Sequence, residues 1–301
     1  FFRFEIKNRL DQVVIVFLLG CIIVQVQKIY TYTPLAQYEI LNANEDAETT
    51  ISIYAANVLQ KNDKKNLVVE DAQDNSADVL LFTETNEEWI TSLNKSFGKT
   101  YKYMVEVPLD NTYGMLLYSK FKLVDPKVKY IVEDTIPSIH TKLILASKDT
   151  VQLFAIHPAP PTPQHNPSSV DRDAEMMKIA LMTNSSDYPV IVLGDFNDVA
   201  WSETTKLFQR VSGLLDSRKG RGLFNTYNAK SYIMRWPLDH VFSSAEFRVK
   251  DIQVGKDIGS DHFPFFTNFT FEPFLSASQE LTEPTEEEMR NAKDQIEKEN
   301  S

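Results

Sequence analysis

The sequence predicts an α/β domain carried behind an apolar N-terminal helix, and three observations lead there. From 49 to 271, short β-branched runs alternate with helix-forming stretches, with neither a repeat nor a low-complexity linker. Between Gln12 and Gln27 there is no charged residue. Several of the strand-like runs end in a polar residue suited to phosphate or metal chemistry, and in open α/β sheets the strand carboxyl ends are where ligands bind. A chain of 301 residues with 43% hydrophobic content is long enough to bury a sizeable core.

The chain opens on Phe1 rather than Met and is expected to continue upstream, with 1–11 as a flank. The run "VVIVFLLGCIIV" is apolar on all sides and, over 12–30, reads as a transmembrane helix. A signal peptide fits poorly, because "QKIYTYTPL" follows where a small-residue cleavage site is needed. Arg3, Lys7 and Arg9 on one flank against Lys28 on the other predict a C-terminal bulk outside the cytoplasm, on the periplasmic side in a bacterium. The single cysteine, Cys21, lies inside this run, so the remainder suits an oxidising compartment without disulfides. Residues 31–48 read as a linker.

Strands are predicted over 51–58, 79–84, 113–119, 138–146, 151–157, 190–195, 238–242 and 264–271, and helices over 64–74, 86–97, 168–184 and 202–211. "HPAPPTPQHNP" can be neither helix nor inner strand and makes an extended loop. Residues 272–301 hold nine acidic and three basic residues, and read as a disordered acidic tail with at most a frayed helix near 286–298.

The polar residues at the strand ends are Asn57, Glu84, His157, Asp195 with Asn197, and Asp261 with His262 ahead of the last strand. Helix capping explains one such residue well. It explains five strand ends of these types poorly. In "VIVLGDFNDVAWS", Asp198 is the residue that suits a turn or cap before the helix at Ser202.

"GDFN", "LDHVF" and "GSDHFP", in order behind the Asn, Glu and His strands, resemble the endonuclease/exonuclease/phosphatase superfamily with its DNase I-like fold, across 49–271. "YTPL", "DNTYGMLLYS" and "WPLDHVF" are similar to its bacterial membrane-anchored members. The resemblance implies a four-layer sandwich of two packed mixed β-sheets flanked by helices. It implies Glu84 as metal ligand with Asn57 in support, and Asp261 as a metal-proximal carboxylate. It implies Asp195 as the group that orients or deprotonates the attacking water, with Asn197 as its partner. His262 would stabilise phosphoryl charge, Asp239 would orient His262, and His157 would bond a phosphate oxygen. Leu59 stands where many family nucleases carry a second acid, which favours one ion over two. Pro237 stands where a basic residue is common, with Arg235 two places back as a substitute phosphate contact or a plain surface arginine.

Phosphate esters resist hydrolysis because their anionic oxygens repel nucleophiles, so charge must be neutralised and water positioned. Mg2+ suits these oxygen ligands, with Mn2+ as the alternative; nothing suggests zinc. His140 and Trp236 could line the cleft, although a solvent-facing histidine and core packing explain them as well. The expected activity is hydrolysis of a phosphodiester or phosphomonoester by a membrane-tethered enzyme. A net charge of −11 argues mildly against nucleic acid as the substrate, leaving a nuclease as the alternative and a non-catalytic binding domain as the alternative of another class.

Overall fold

Residues 79–83 and 190–195 are buried at every position, because each strand has the opposite sheet on one face and helices on the other. The computed structural model describes residues 8–161 and 168–299. In chain order its elements are α1 (Arg9–Ile29), β1 (Thr50–Asn57), α2 (Lys65–Asn75), β2 (Val79–Thr83), α3 (Glu87–Phe97), β3 (Tyr103–Val107), β4 (Met115–Ser119), β5 (Lys122–Tyr130) and β6 (Pro137–Ile144). They continue with β7 (Thr150–Ile156), α4 (Val170–Asn184), β8 (Val190–Asp195), α5 (Glu203–Ser212), β9 (Leu215–Asp216), β10 (Asp239–Ser243), β11 (Phe247–Val254), β12 (Phe265–Phe271) and α6 (Glu286–Glu299).

Two six-stranded mixed sheets, ordered β11-β12-β1-β2-β4-β3 and β5-β6-β7-β8-β10-β9, face each other. Ile53, Leu81, Leu153, Leu193, Val241 and Phe269 fill the space between them. Outside the first sheet, Val68, Ala72, Trp89 and Leu93 of α2 and α3 cover Tyr54, Leu80 and Phe82. Outside the second, Met176 and Ala180 of α4 and Phe208 of α5 cover Phe154, Val192 and Phe242. This is the four-layer sandwich that the resemblance implies and that the strand and helix count fits.

Four strands escape prediction, β3, β5, β9 and β11, and all four are sheet edges. An edge strand needs no apolar run. β5 reads "KLVDPKVKY" and is exposed along most of its length, with a bulge between Val124 and Lys127. Charges, a proline and a bulge are what block further pairing at an edge.

The segment ahead of β1 is no free linker. Ile40 is buried in the inter-sheet core, Tyr32 is buried with its hydroxyl donating to the Ala200 carbonyl at 2.6 Å, and Glu39 pairs with Lys219 at 2.7 Å.

The acidic tail is corrected likewise. Thr285 and Glu288 form a reciprocal capping box, Thr285 N–H donating to Glu288 Oε2 at 2.7 Å and Glu288 N–H to Thr285 Oγ1 at 3.2 Å. From that start, Met289, Ala292 and Ile296 bring one helical face against the α4 and α5 layer. Arg210 pairs with Glu288 through both carboxylate oxygens, and Lys178 with Glu299 at 2.8 Å.

α1 is capped by Asn8, whose side chain accepts from Leu10 N–H, and it buries none of its residues. With the turn that follows, Arg9–Tyr32 is long and apolar enough to cross a membrane by length and composition.

Candidate active site

Strand register brings the polar strand ends to one end of the sandwich. Asn57 lies opposite Thr83 across the parallel β1–β2 pair, Ile156 opposite Gly194 across β7–β8, and Asp195 opposite Asp239 across the antiparallel β8–β10 pair. Glu84 and His157 follow β2 and β7 by one residue, and His262 precedes β12, the neighbour of β1, by three. A Cβ on Gly194 would meet the Ile156 carbonyl oxygen at 1.9 Å, so only glycine lets the two strands approach here. Leu59, Glu84 and Asn197 hold φ of +55°, +60° and +50°, left-handed backbone that side-chain-bearing residues rarely adopt. Such strain collects where side chains must be aimed.

Asp195 is the hub. Its Oδ2 accepts from Asn57 Nδ2 at 3.1 Å and lies 3.6 Å from His262 Nε2 and 3.8 Å from His157 Nε2; its Oδ1 accepts from the Asn197 N–H at 3.0 Å. His262 Nδ1 donates to Asp239 Oδ2 at 2.8 Å. Neither imidazole Nε2 is within hydrogen-bonding distance of Asp195, so both edges are left for a third group between them and the carboxylate. Burial pushes the Asp195 carboxyl upward, but the two histidines, Asn57 and the Asn197 N–H outweigh it and hold it below the usual carboxylate range. Burial opposes charge on His262 too, yet Asp239 and Asp195 raise it to about 10, so the imidazolium persists. Burial and the Asp195 charge raise Asp239, against the pull of His262.

Asn57 Nδ2 also donates to Glu84 Oε1 at 2.8 Å, and Glu84 Oε2 accepts from Gln60 N–H at 3.3 Å. Asn57 thus spans the two carboxylates with its amide hydrogens, while its oxygen accepts from Leu59 N–H at 3.0 Å. The geometry makes it the holder of Glu84 and Asp195. Glu84 is half-buried, and among the described residues its carboxylate accepts only from the Asn57 amide and the Gln60 N–H, which leaves its other lone pairs open to a hard divalent cation with water. The Glu84 carboxylate suits a divalent metal ion, and the buried Asp195, Asp239 and His262 bring further possible ligand atoms within 4.8 Å of one another.

Asp261 sits on the other flank, its charge acting on Tyr227 and His262, and among the described residues it makes no bond to Glu84 or Asn57. Asn197 reaches away from Asp195: its Nδ2 donates to the Pro158 carbonyl at 3.0 Å, tying the β8 loop to the loop after His157. Ser202 is the N-cap of α5, and Asp198 braces it, its carboxylate accepting from the Ser202 hydroxyl, from the Thr205 hydroxyl at 3.0 Å and from Val199 N–H at 3.0 Å.

His140 does not line this cleft. On β6 it points to the helix side of the sheet, edge-on to Phe154 at 4.8 Å, beside Lys127, Lys129 and Lys142. Burial and Lys129 lower it to about 4, so it is neutral. Trp236 stacks on Tyr227 at 6.3 Å, and Tyr227 lies 4.9 Å from His262, so the tryptophan is one ring removed from the cluster. Arg235 lies over Phe263 at 4.8 Å and donates to the Ser231 carbonyl. Neither touches Asp195 or His262 among the described residues. His165 of the Pro-rich loop lies outside the described residues.

The structure adds a support shell. Arg218, fully buried, grips Asp216 through two bonds of 2.9 and 2.8 Å, bonds His240 Nδ1, and reaches the Asp239 carbonyl at 3.4 Å. His240 Nε2 donates to the Asp198 carbonyl at 2.8 Å, and Arg172 donates to the Asn197 carbonyl at 2.9 Å. Tyr113, 5.4 Å from His157, walls the cleft, and burial with Glu133 raises its hydroxyl to about 12. The quoted "DNTYGM" was the only sequence signal for it; long-range pairs such as Arg218 with His240 leave none.

Comparison with known proteins gives the family and the fold. The model of the endonuclease/exonuclease/phosphatase family matches residues 41–262. No curated protein sequence matches the chain. Similar solved structures include the human Nocturnin catalytic domain with bound sulfate, at 18% identity and TM-score 0.59 over 74% of this chain and 94% of that one. D. rerio TDP2 complexed with a single-strand DNA product follows at 15% identity and TM-score 0.61, covering 74% and 99%. A functionally unknown conserved protein from Enterococcus faecalis is similar at 16% identity and TM-score 0.60, covering 74% and 100%. At these identities the structures show the fold alone. The family model spans most of the domain, its match ends on His262, and with the Asn57–Glu84–Asp195–His262–Asp239 constellation assembled at one rim the chain belongs to the endonuclease/exonuclease/phosphatase family.

Proposed function

We propose that this protein is a membrane-anchored, Mg2+-dependent phosphoesterase that hydrolyses a phosphodiester or phosphomonoester by in-line attack of an activated water. Family membership supports a phosphate-ester hydrolase that uses a divalent metal. The observation that carries the reading is the buried Asp195 carboxylate, ionised between two imidazole edges that it does not itself bond.

Asp195 accepts the proton of the water that attacks phosphorus, as a carboxylate fixed by Asn57 and the Asn197 N–H can. His262, kept cationic by Asp239, faces the non-bridging phosphoryl oxygens as negative charge builds there. His157 offers its Nε2 edge to the same group from the other side. Glu84 would hold the cation, with Asn57 keeping its carboxylate in place. A bound Mg2+ supplies Lewis-acid neutralisation of the phosphoryl oxygens.

The 24-residue apolar segment Arg9–Tyr32 supports the membrane anchor, and the basic residues ahead of it support a catalytic domain outside the cytoplasm. Net charge of −11 favours a small-molecule or lipid ester over nucleic acid. The test is product release from a panel of nucleic acids, nucleotides and phospholipid head-group esters by the full chain in detergent, with Mg2+ and with chelator. Turnover of at least one ester class only with metal is expected; no metal-dependent turnover of any member sinks the reading.

A further inference from the structure

Three consecutive large side chains, Tyr232, Ile233 and Met234, stand in water with relative exposures of 96%, 93% and 61%. Isolated exposed apolar residues are ordinary; a run of three at one loop tip marks a contact surface. Exposed Lys230 and half-buried Arg235 flank the run.

The loop's base belongs to the catalytic rim. Tyr227 bridges both Trp236 and His262, Phe263 N–H donates to the Thr226 carbonyl at 2.8 Å, and Ala229 N–H donates to the Asp261 carbonyl at 2.7 Å. The tip therefore stands beside the mouth of the site.

The N-terminal helix leaves the domain at the same end. Tyr32 bonds the Ala200 carbonyl, five residues past Asp195, and Gly220 N–H donates to the Thr31 carbonyl at 2.8 Å. Around that exit Tyr30, Leu35 and Tyr38 are exposed, the aromatic and apolar composition of a membrane–water interface. A chain of net charge −11 would be repelled by an anionic bilayer, and two cations at this tip answer that repulsion locally.

We propose, on the reading that α1 spans a membrane and that the rim is catalytic, that the 230–235 loop is a docking lip. Tyr232, Ile233 and Met234 enter the interfacial layer of the bilayer that holds α1, with Lys230 and Arg235 against lipid phosphates. The active-site mouth is then held on the head-group layer, and the substrate is a phosphate ester of a lipid in that membrane.

The test uses the full chain with Cys21→Ser, reconstituted in phosphatidylcholine/phosphatidylglycerol vesicles, carrying a nitroxide at Ile233→Cys or at Phe274→Cys. Phe274 is 99% exposed and follows the far end of β12, roughly 20 Å from the rim by the rise of a seven-residue strand. Docking predicts an oxygen-to-aqueous-nickel-chelate accessibility ratio several-fold higher at 233 than at 274. Equal, water-like accessibility at both overturns it. The readout does not depend on turnover: a buried label in a protein without hydrolytic activity keeps the lip and refutes the catalytic reading, while an active protein with an aqueous label at 233 does the reverse.

Discussion

His262 Nδ1 and Asp239 Oδ2 lie 2.8 Å apart, both buried, and this bond sets which charge the imidazole carries at the reacting end. Held to about 10, His262 is protonated in the folded chain well above its ordinary 6.5. Its contribution to stability is full below about 6.5 and is lost as pH rises through about 10. Asp239→Asn removes the main partner, so the imidazole 15N titration should move down while the remaining histidines stay put. A titration at the wild-type position would show that Asp239 does not set this charge.

Glu84 pairs a strained backbone with a task. Its φ of +60° costs an L-residue on the order of 1–2 kcal/mol, a cost glycine does not carry. Glu84→Gly should leave the fold as stable as the parent or slightly more so, and abolish any Mg2+-induced rise in melting temperature. Thermal melts across a Mg2+ titration check both halves.

Glu175 on α4 is a buried acid whose Oε1 has no hydrogen-bond partner among the described residues, raised to about 8 by burial and by Glu133, against Lys178. Between 4.5 and about 8 the folded chain binds more protons here than the unfolded one, so stability falls as pH rises through that window. Glu175→Gln should therefore melt higher than wild type above about pH 8, with the difference fading toward zero near pH 4. Paired melts at the two ends of the window decide it.

α6 is structural, although its composition suggests a solvated tail. Ala292 is fully buried against the α4 and α5 layer. Ala292→Asp would bury an unpaired carboxylate and should destabilise the domain by roughly 2 kcal/mol or more, measured by urea unfolding. The exposed Lys293→Asp serves as the control and should cost less than about 0.5 kcal/mol.

The interior strands and the polar residues at their ends were legible because both are written locally, as a short β-branched apolar run and then a polar residue, whereas the roles of those residues and the place of Asp239 came only from the family resemblance. Edge strands such as β5 were not, since their charges serve to prevent pairing and read as loop. The side of the sheet that His140 faces was also hidden, because a strand buried on both faces has no alternation to tell them apart. α6 is a different case. Thr285 and Glu288 at capping-box spacing, with Met289, Ala292 and Ile296 on one face, were present in the sequence, and net charge outweighed them. The Arg218–Asp216–His240 shell depends on β9, two residues long, meeting β10 from more than twenty positions away.

The most direct measurement is kcat/KM of the full chain for its best ester in Mg2+, wild type against Asp195→Asn. The substitution keeps size and removes the buried carboxylate that faces both His157 and His262. General-base loss predicts a fall on the order of 10²–10⁴-fold in a protein that melts lower than wild type but is still folded at the assay temperature. An Asp195→Asn protein as active as wild type contradicts the account.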